Sequence, residues 1–317
     1  MIDIPEAFVR QTVEREGEEG ARWIAGLPVL VAELIGRWGC VLDGDVLHGG
    51  VGIVVPVVAP GHGAAVVKVS FPHPGNVHEP DAFAAWGGRG AVWLLARDDA
   101  RFAMLLERVR AESLAEVVDM DEVALVAGRV SRRLAVDAPG GLPRMEGMTV
   151  QWEEELRLER DEFGNTVSER SFGAALATVR ELGPDQPGLL VHGDLHARNI
   201  LRAEREPWLA VDPKGWAGDP AYDGGTLLKA LGVRLISLGD TGELRKAALR
   251  VLDVFSEAAG LDRERVGRWA HFHVVRAAFH GRRHGFRVAH GGPFLDHLDA
   301  FVEGFAEVLV PGRAKRP

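Results

Sequence analysis

Two short stretches of the chain decide its fold: residues 192–199 read HGDLHARN, and residues 212–214 read DPK. Asp194 follows a short apolar run and a glycine that frees the backbone, and Asn199 comes five residues later. A loop of this length can return the amide of Asn199 to the side of the Asp194 carboxylate. Asp212 follows a second short apolar run. The pattern therefore predicts that two carboxylates and one amide converge at one end of a small β unit.

Transfer of a γ-phosphoryl group needs side chains of these types. One carboxylate must orient the acceptor hydroxyl and take its proton, and oxygen ligands must hold magnesium on the phosphates. We therefore interpret Asp194 as the catalytic base, and Asn199 and Asp212 as magnesium ligands, with Asn199 a part of the catalytic loop. His192 is expected to support this loop through hydrogen bonds. A metal-hydrolase cluster of His192, Asp194 and His196 is the alternative, but no third histidine group with ligand spacing accompanies it.

The pattern of the chain changes near residue 110. Up to that point β-branched runs alternate with turn residues after an N-terminal helical segment. Further on the pattern is mostly helical, with two short strands that we expect to pair as a hairpin around the motif. The predicted strands are 51–59, 64–71, 91–97, 101–107, 189–191 and 208–211, and the predicted helices are 79–86, 112–135, 148–162, 168–182 and those between 224 and 310. We predict an α+β fold with two domains, 1–110 and 111–317.

Composition limits the classes of partner. Asp and Glu outnumber Lys and Arg by 46 to 37, so the formal net charge is −9 and most of the surface would repel nucleic acid. No apolar run approaches the roughly 20 residues of a membrane span, and the N-terminus lacks the apolar core of a signal peptide. The single cysteine, Cys40, excludes an internal disulfide and a cysteine-based zinc site. We expect a cytoplasmic protein without nucleic-acid or membrane partners.

The motif His-Gly-Asp-x-x-x-x-Asn resembles the catalytic loop of the aminoglycoside phosphotransferase-like kinases, which are relatives of the protein kinases. The continuation at 208–223, WLAVDPKGWAGDPAYD, is similar to the streptomycin 6-phosphotransferase and hydroxyurea kinase branch, in which Pro-Lys follows the metal-binding aspartate. The resemblance implies a two-lobed protein-kinase-like fold, with a small β-sheet N-lobe that binds the nucleotide and a mainly helical C-lobe that binds the acceptor. It also implies ATP and Mg²⁺ as cofactors. Asp219 is expected to anchor the catalytic loop from behind.

The resemblance assigns two charged residues of the N-lobe to the nucleotide site. Lys68 would hold the α- and β-phosphates, and Glu79 would form the ion pair that positions it. The run around Lys68 is apolar, and a lysine in such a strand is costly unless it has a partner, which agrees with this assignment.

Two further segments complete the implied nucleotide site. The phosphate-covering loop corresponds to 48–52 (HGGVG), with Gly50 and Gly52, although it is not a Gly-x-Gly-x-x-Gly. The segment that corresponds to the hinge contains Glu107 and Val109, whose backbone groups would bind adenine.

The acceptor that the resemblance implies is a hydroxyl of a small cationic molecule, such as the aminocyclitol antibiotic streptomycin, and the implied role is antibiotic resistance. A kinase of another sugar, an amino alcohol or hydroxyurea on the same scaffold is an alternative. A non-catalytic nucleotide-binding pseudokinase is another, but Lys68, Asp194, Asn199 and Asp212 are all present. The candidates for acceptor contact are the acidic run 153–155, His280 and Asp296. The sequence leaves open ATP versus GTP, the phosphorylated hydroxyl and the oligomeric state.

Overall fold

The computed structural model describes residues 2–164, 166–236, 241–285 and 299–310. The chain forms two compact units, one ending at Arg110 and the other beginning at Ala111. No helix within the described ranges is both long enough and apolar enough to cross a lipid bilayer. Asp296, which the sequence suggests for acceptor contact, lies outside these ranges.

The first unit combines a long N-terminal helix, kinked at Gly17 where φ is +62°, with a six-stranded antiparallel sheet and one inserted helix. Its elements are α1 (Glu6–Arg37), β1 (Val41–Leu42), β2 (Leu47–His48), β3 (Gly52–Ala59), β4 (Gly63–Ser70), α2 (Glu79–Trp86), β5 (Leu94–Asp98) and β6 (Ala103–Glu107). The strands lie in the order β1-β3-β4-β6-β5, and the short β2 also pairs with β3. The sheet therefore places β4, which carries Lys68, between β3 and β6.

Strands β3 and β4 explain how this unit buries its core. Alternate residues of these β-branched strands face opposite sides of the sheet. One side packs against α1 in a single hydrophobic cluster, and the other carries Lys68. The members of the cluster include Phe8, Leu27, Val31 and Leu34 of α1 and Ile53, Val55, Val57, Ala65, Val67 and Val69 of the sheet. Because burial of one large apolar side chain stabilises by about 1.5–3 kcal/mol, α1 is an integral part of this unit.

The second unit is mainly helical and carries two small two-stranded sheets. Its elements are α3 (Met120–Leu134), α4 (Thr149–Phe163), α5 (Glu169–Leu182), β7 (Leu189–Val191), β8 (Ile200–Arg202), β9 (Trp208–Ala210), β10 (Trp216–Gly218), α6 (Ala221–Ile236), α7 (Thr241–Ala259), α8 (Arg263–His284) and α9 (Asp299–Leu309). Side chains of Asp119, Ser168 and Asp262 accept backbone N–H groups at the starts of α3, α5 and α8, as N-caps do.

The predicted pairing of the two strands around the motif is wrong. Strand β7 pairs with β10, with Leu190 opposite Ala217, and β9 pairs with β8, with Leu201 opposite Leu209. Strands β8 and β10 have three residues each, which is too short for an alternation of apolar and polar residues to reveal them. The strand before Asp212 therefore pairs with the segment that directly follows the motif.

Most predicted elements are confirmed, with small shifts of their ends. The helix at 79–86 is found at those residues. The predicted helix at 112–135 begins only at Met120, because Asp119 caps it and a separate short 3-10 turn precedes it. The ends of the other predicted strands, and of the helices with stated bounds, shift by no more than three residues.

Candidate active site

The catalytic loop, residues 192–199, is fixed from behind by Asp223. One carboxylate oxygen of Asp223 accepts the His192 N–H at 3.0 Å, and the other accepts the Gly193 N–H at 2.8 Å. Asp223 lies in the first turn of α6 and is 2% exposed. Burial raises the pKa of Asp223 to about 7, against the effect of the two N–H groups, which favour the ionised form. A buried carboxylate thus clamps the loop to the start of α6.

The prediction that Asp219 anchors the catalytic loop is wrong. Asp219 accepts the Ala221 N–H at 3.0 Å at the start of α6. Its other oxygen accepts Nε of Arg265 at 2.5 Å and the indole N–H of Trp269 at 2.8 Å, both from α8. Asp219 therefore ties two helices together, and Asp223, four residues later, holds the loop. The sequence contains both acids in one short stretch and gives no sign of which one faces the loop.

His192 links the loop to the strand pair that precedes Asp212. Its ring is fully buried, and burial lowers its pKa to about 4, so the ring is neutral. The Asp194 N–H donates to Nδ1 at 3.3 Å, and Nε2 lies 3.0 Å from the Val211 carbonyl, which assigns the ring proton to Nε2. These bonds agree with the supporting role expected of His192.

Gly193 has the backbone freedom that the motif requires. Its φ is +82°, and a Cβ at this position would lie 2.9 Å from Cβ of Lys214. A larger residue would therefore be strained and would collide with the segment after Asp212.

Asp194 and Asn199 are joined within the loop. The Asn199 side-chain amide donates from Nδ2 to the Asp194 carbonyl at 3.0 Å, which leaves Oδ1 as the ligand atom that Asn199 can offer. The Asp194 side chain is 29% exposed, so a substrate can reach the carboxylate. Nε2 of His196 lies 3.8 Å from the Asp194 carboxylate, and burial lowers the pKa of His196.

Asp212 is held beside this loop by the backbone on both sides of it. The Val211 N–H donates to the Asn199 carbonyl at 2.9 Å, and the Lys214 N–H donates to the His192 carbonyl at 2.7 Å. Asp212 itself has φ of +62°, in the left-handed region that non-glycine residues seldom occupy. Such a conformation costs on the order of 1 kcal/mol and is concentrated at functional sites.

The oxygen atoms of Asn199 and Asp212 suit magnesium. Mg²⁺ is bound in proteins by one or two carboxylate or amide oxygens, with phosphate and water oxygens as the remaining ligands. Among the described residues no group of three or more His, Cys, Asp or Glu side chains is placed to hold a metal ion.

The predicted nucleotide residues Lys68 and Glu79 form a buried ion pair in the first unit. Nζ of Lys68 lies 2.5 Å from Oε1 of Glu79, and the two side chains are 12% and 2% exposed. Glu79 is the first residue of α2, so the pair joins this helix to strand β4. The structure thus brings the two residues together as the sequence suggests.

The glycine loop at 48–52 is held by the N-terminal helix. Nη1 of Arg15 donates to the Gly50 carbonyl at 2.8 Å, and the Gly49 N–H donates to the Gly52 carbonyl at 2.9 Å. A Cβ on Gly52 would lie 2.7 Å from the Val69 carbonyl oxygen, so this position requires glycine, whereas a Cβ on Gly50 would meet nothing within 4 Å. Nothing in the sequence pattern indicates the contact made by Arg15.

The segment expected to form the hinge follows strand β6. The Glu107 N–H donates to the Trp93 carbonyl at 2.9 Å, and the Glu107 carboxylate accepts the Trp93 N–H at 3.0 Å. Glu107 is therefore tied to the residue that precedes β5, and Val109 lies just beyond the end of β6.

Two of the three glutamates in the acidic run 153–155 on α4 pair with arginines. Glu153 pairs with Arg157 at 3.0 Å and Arg180 at 2.6 Å, and these arginines lower its pKa to about 2. Glu155 pairs with Arg276 of α8 at 2.7 Å. The rim that the sequence suggests for a cationic acceptor thus has little uncompensated negative charge at these two residues.

One residue that the sequence analysis missed lies close to the catalytic loop. Lys229 of α6 is half-buried, and the Asp194 carboxylate acts electrostatically on it. The signal in the sequence was a single lysine in an otherwise apolar stretch of helix, Leu227–Leu231, and a surface lysine gives the same pattern.

Comparisons with known proteins agree on one family. The sequence model of the aminoglycoside/hydroxyurea antibiotic resistance kinases matches residues 37–285. Streptomycin 6-kinase of Streptomyces griseus is 36% identical over 270 residues, which is 84% of this chain and 87% of that protein. Hydroxyurea phosphotransferase of Kitasatospora aureofaciens is 34% identical over 280 residues, 87% of this chain and 79% of that protein.

A solved structure supports the fold. The macrolide 2′-phosphotransferase of Brachybacterium faecium superposes with a TM-score of 0.53 at 16% identity, covering 92% of this chain and all of that one (100%). Similarity at this level concerns the fold alone, and it confirms the two-lobed, kinase-like α+β architecture.

Proposed function

Because the chain belongs to the family of aminoglycoside/hydroxyurea antibiotic resistance kinases, we propose that it transfers the γ-phosphoryl group of ATP to a hydroxyl of a small antibiotic, with streptomycin as the first candidate. The observation that carries this proposal is the clamped catalytic loop. Asp223 fixes the backbone of His192 and Gly193, so that the partly exposed Asp194 carboxylate is held on a rigid support. Catalysis by positioning depends on such a support.

Asp194 acts as the base in this proposal. Its carboxylate accepts a hydrogen bond from the acceptor hydroxyl and takes the proton while the acceptor oxygen bonds to the γ-phosphorus. The bond between that phosphorus and the oxygen of the leaving ADP breaks in the same displacement. The acceptor then carries the phosphate, and the protonated Asp194 returns its proton to water.

The residues of the first unit bind the nucleotide in this proposal. Lys68, positioned by Glu79, binds the α- and β-phosphates as a point charge, and the glycine loop containing Gly50 and Gly52 covers them. Backbone groups of the segment at Glu107 and Val109 bind adenine. Since ATP is the donor, we expect the protein to act in the cytoplasm.

The amide oxygen of Asn199 and the carboxylate of Asp212 would hold Mg²⁺. The ion supplies neutralisation of the charge on the phosphates when it is bound. The backbone bond between Val211 and Asn199 keeps these two ligands together, and that bond is what supports the assignment.

Hydroxyurea is the second candidate acceptor. A hydroxyurea phosphotransferase is 34% identical to this chain, close to the 36% of a streptomycin 6-kinase, so overall similarity does not choose between them. Lys229 is a half-buried cation on which Asp194 acts electrostatically. Because a cation repels other cations, it favours an acceptor such as hydroxyurea whose group beside the base is uncharged.

The test is ATP turnover with purified enzyme against streptomycin, other aminoglycosides, hydroxyurea and simple sugars, with the product identified by its gain of one phosphate in mass. We expect turnover with an antibiotic acceptor, and its loss by at least about 100-fold in Asp194→Asn, since a general base contributes roughly 100- to 10,000-fold. The matched control is Asp253→Asn, an exposed aspartate of α7 that pairs with Arg263. Equal activity of Asp194→Asn and the control would refute the proposed mechanism.

A further inference from the structure

Lys229 lies on the face of α6 that borders the catalytic loop. Tyr222, Thr226 and Lys229 are spaced by four and three residues, which places them on one side of a helix. Tyr222 is buried against Trp152, and the Thr226 hydroxyl is within hydrogen-bond distance of the Leu195 carbonyl, at 3.2 Å. The third member of this face is a lysine, half-buried where the first two are fully buried.

The charges around Lys229 come from the loop and from α8. Burial lowers the pKa of Lys229. The Asp194 carboxylate, which lies beyond ion-pair distance, raises it by a smaller amount. The Lys229 charge in turn acts on His196 of the loop and on His273 and His280 of α8. Arg276 is the cationic neighbour of Lys229, and it already pairs with Glu155 at 2.7 Å.

Within the part of the chain that the structure describes, the Lys229 ammonium has no hydrogen-bond or ion-pair partner. An ammonium that is partly removed from water without a partner loses hydration free energy that nothing in the protein offsets. An oxygen atom from a bound molecule would remove that cost. Because Asp194 is the proposed base, an acceptor bound there would present the part next to its reacting hydroxyl to Lys229.

We propose that Lys229 is an acceptor-binding residue, whose ammonium donates a hydrogen bond to an uncharged oxygen next to the reacting hydroxyl and keeps cationic groups away from that side. This inference rests on the proposed function. The nucleotide is the less suitable partner, because the metal ligands Asn199 and Asp212 are tied to each other on the β8–β9 side of the loop. Lys229 is one turn beyond Thr226 on α6, and Thr226 contacts the loop at Leu195.

The test compares Lys229→Met, Lys229→Arg and Lys229→Glu with the control Lys246→Met, an exposed lysine of α7 that pairs with Glu243. KM is measured for ATP and for the acceptor, and the acceptor Kd is measured by calorimetry without ATP. A hydrogen bond from a charged group corresponds to roughly a 10- to 100-fold change in an equilibrium constant. We therefore expect Lys229→Met to raise the acceptor KM and Kd by about that factor, with the ATP KM unchanged. Lys229→Arg, which keeps the charge, should bind the acceptor nearly as well as the wild type.

Charge reversal gives a second readout. Lys229→Glu should lower the KM of streptomycin relative to that of hydroxyurea, because a cationic acceptor is then attracted where it was repelled. Unchanged acceptor KM and Kd in Lys229→Met, or a rise confined to the ATP KM, would overturn the inference and leave the proposed function intact. If Lys229→Met does not fold, Lys229→Glu decides by the same constants, because it also removes the ammonium. A wild-type enzyme that phosphorylates no acceptor would overturn both.

Discussion

Replacing Asp223 by Asn separates the charge of this buried side chain from its shape. The amide has the same size, but it offers one oxygen and one NH₂ group where the carboxylate offers two oxygens. Either the His192 or the Gly193 N–H therefore loses its acceptor and faces another donor. A hydrogen bond to a charged group contributes about 1.5–3 kcal/mol. We expect the free energy of unfolding at pH 8, where the carboxylate is ionised, to fall by about that amount.

The effect on turnover should be larger than the effect on stability. Asp194 follows the two clamped residues directly, so release of one N–H group moves the base relative to the acceptor. A displacement of about 1 Å can cost on the order of 100-fold in rate. We expect kcat of Asp223→Asn to fall by about that factor while the ATP KM is unchanged. Urea unfolding and steady-state kinetics on the same preparations measure the two effects.

The matched control is Asp219→Asn, one helical turn earlier. Asp219 is as buried as Asp223, at 2% exposed, but its partners are Ala221, Arg265 and Trp269 and not the loop. We expect this variant to lose as much stability or more and to keep kcat. The reasoning is refuted if Asp223→Asn keeps its turnover within twofold, or if Asp219→Asn loses as much turnover as Asp223→Asn.

Four further predictions follow from the two units. Glu79→Gln, which leaves the Lys68 ammonium buried beside a neutral group, should raise the ATP KM at least about tenfold and lower the melting temperature, and an unchanged ATP KM would contradict the pairing. Arg15→Ala removes the side-chain bond to the glycine loop, and loss of about 1 kcal/mol should raise the ATP KM roughly fivefold with the acceptor KM unaffected. EDTA should abolish turnover and Mg²⁺ should restore it, with Asn199→Ala requiring more Mg²⁺ than the wild type; equal requirements would exclude Asn199 as a ligand. Burial raises the pKa of Asp223 from 3.8 to about 7, so its titration stabilises the fold most at low pH, and this contribution is lost as the pH rises through that window. The stability difference between wild type and Asp223→Asn should therefore shrink from pH 5 to pH 8 in urea unfolding.

The sequence was sufficient to identify the family, because the catalytic loop and Asp212 are local patterns with fixed spacing. It was also sufficient to predict that Lys68 needs a partner, since a lysine in an apolar strand is costly. The sequence could not predict how the three-residue strands pair, because β8 and β10 are too short to show the alternation of apolar and polar residues that marks a strand. Side-chain direction at Asp219 and Asp223 depends on how α6 meets the loop, which is a tertiary property. Lys229 was missed for the same reason.

The packing of α1 against the sheet has a practical consequence for shortened forms of the protein. The match to the family begins at residue 37, at the very end of α1. A fragment cut to that boundary would lose Phe8, Leu27, Val31 and Leu34, and the apolar face of β3 and β4 would meet water. Exposed apolar sheet surfaces of this kind promote aggregation. We expect such a fragment to be insoluble although it contains every residue of the catalytic motif, so the boundary of the family match is not the boundary of the folding unit.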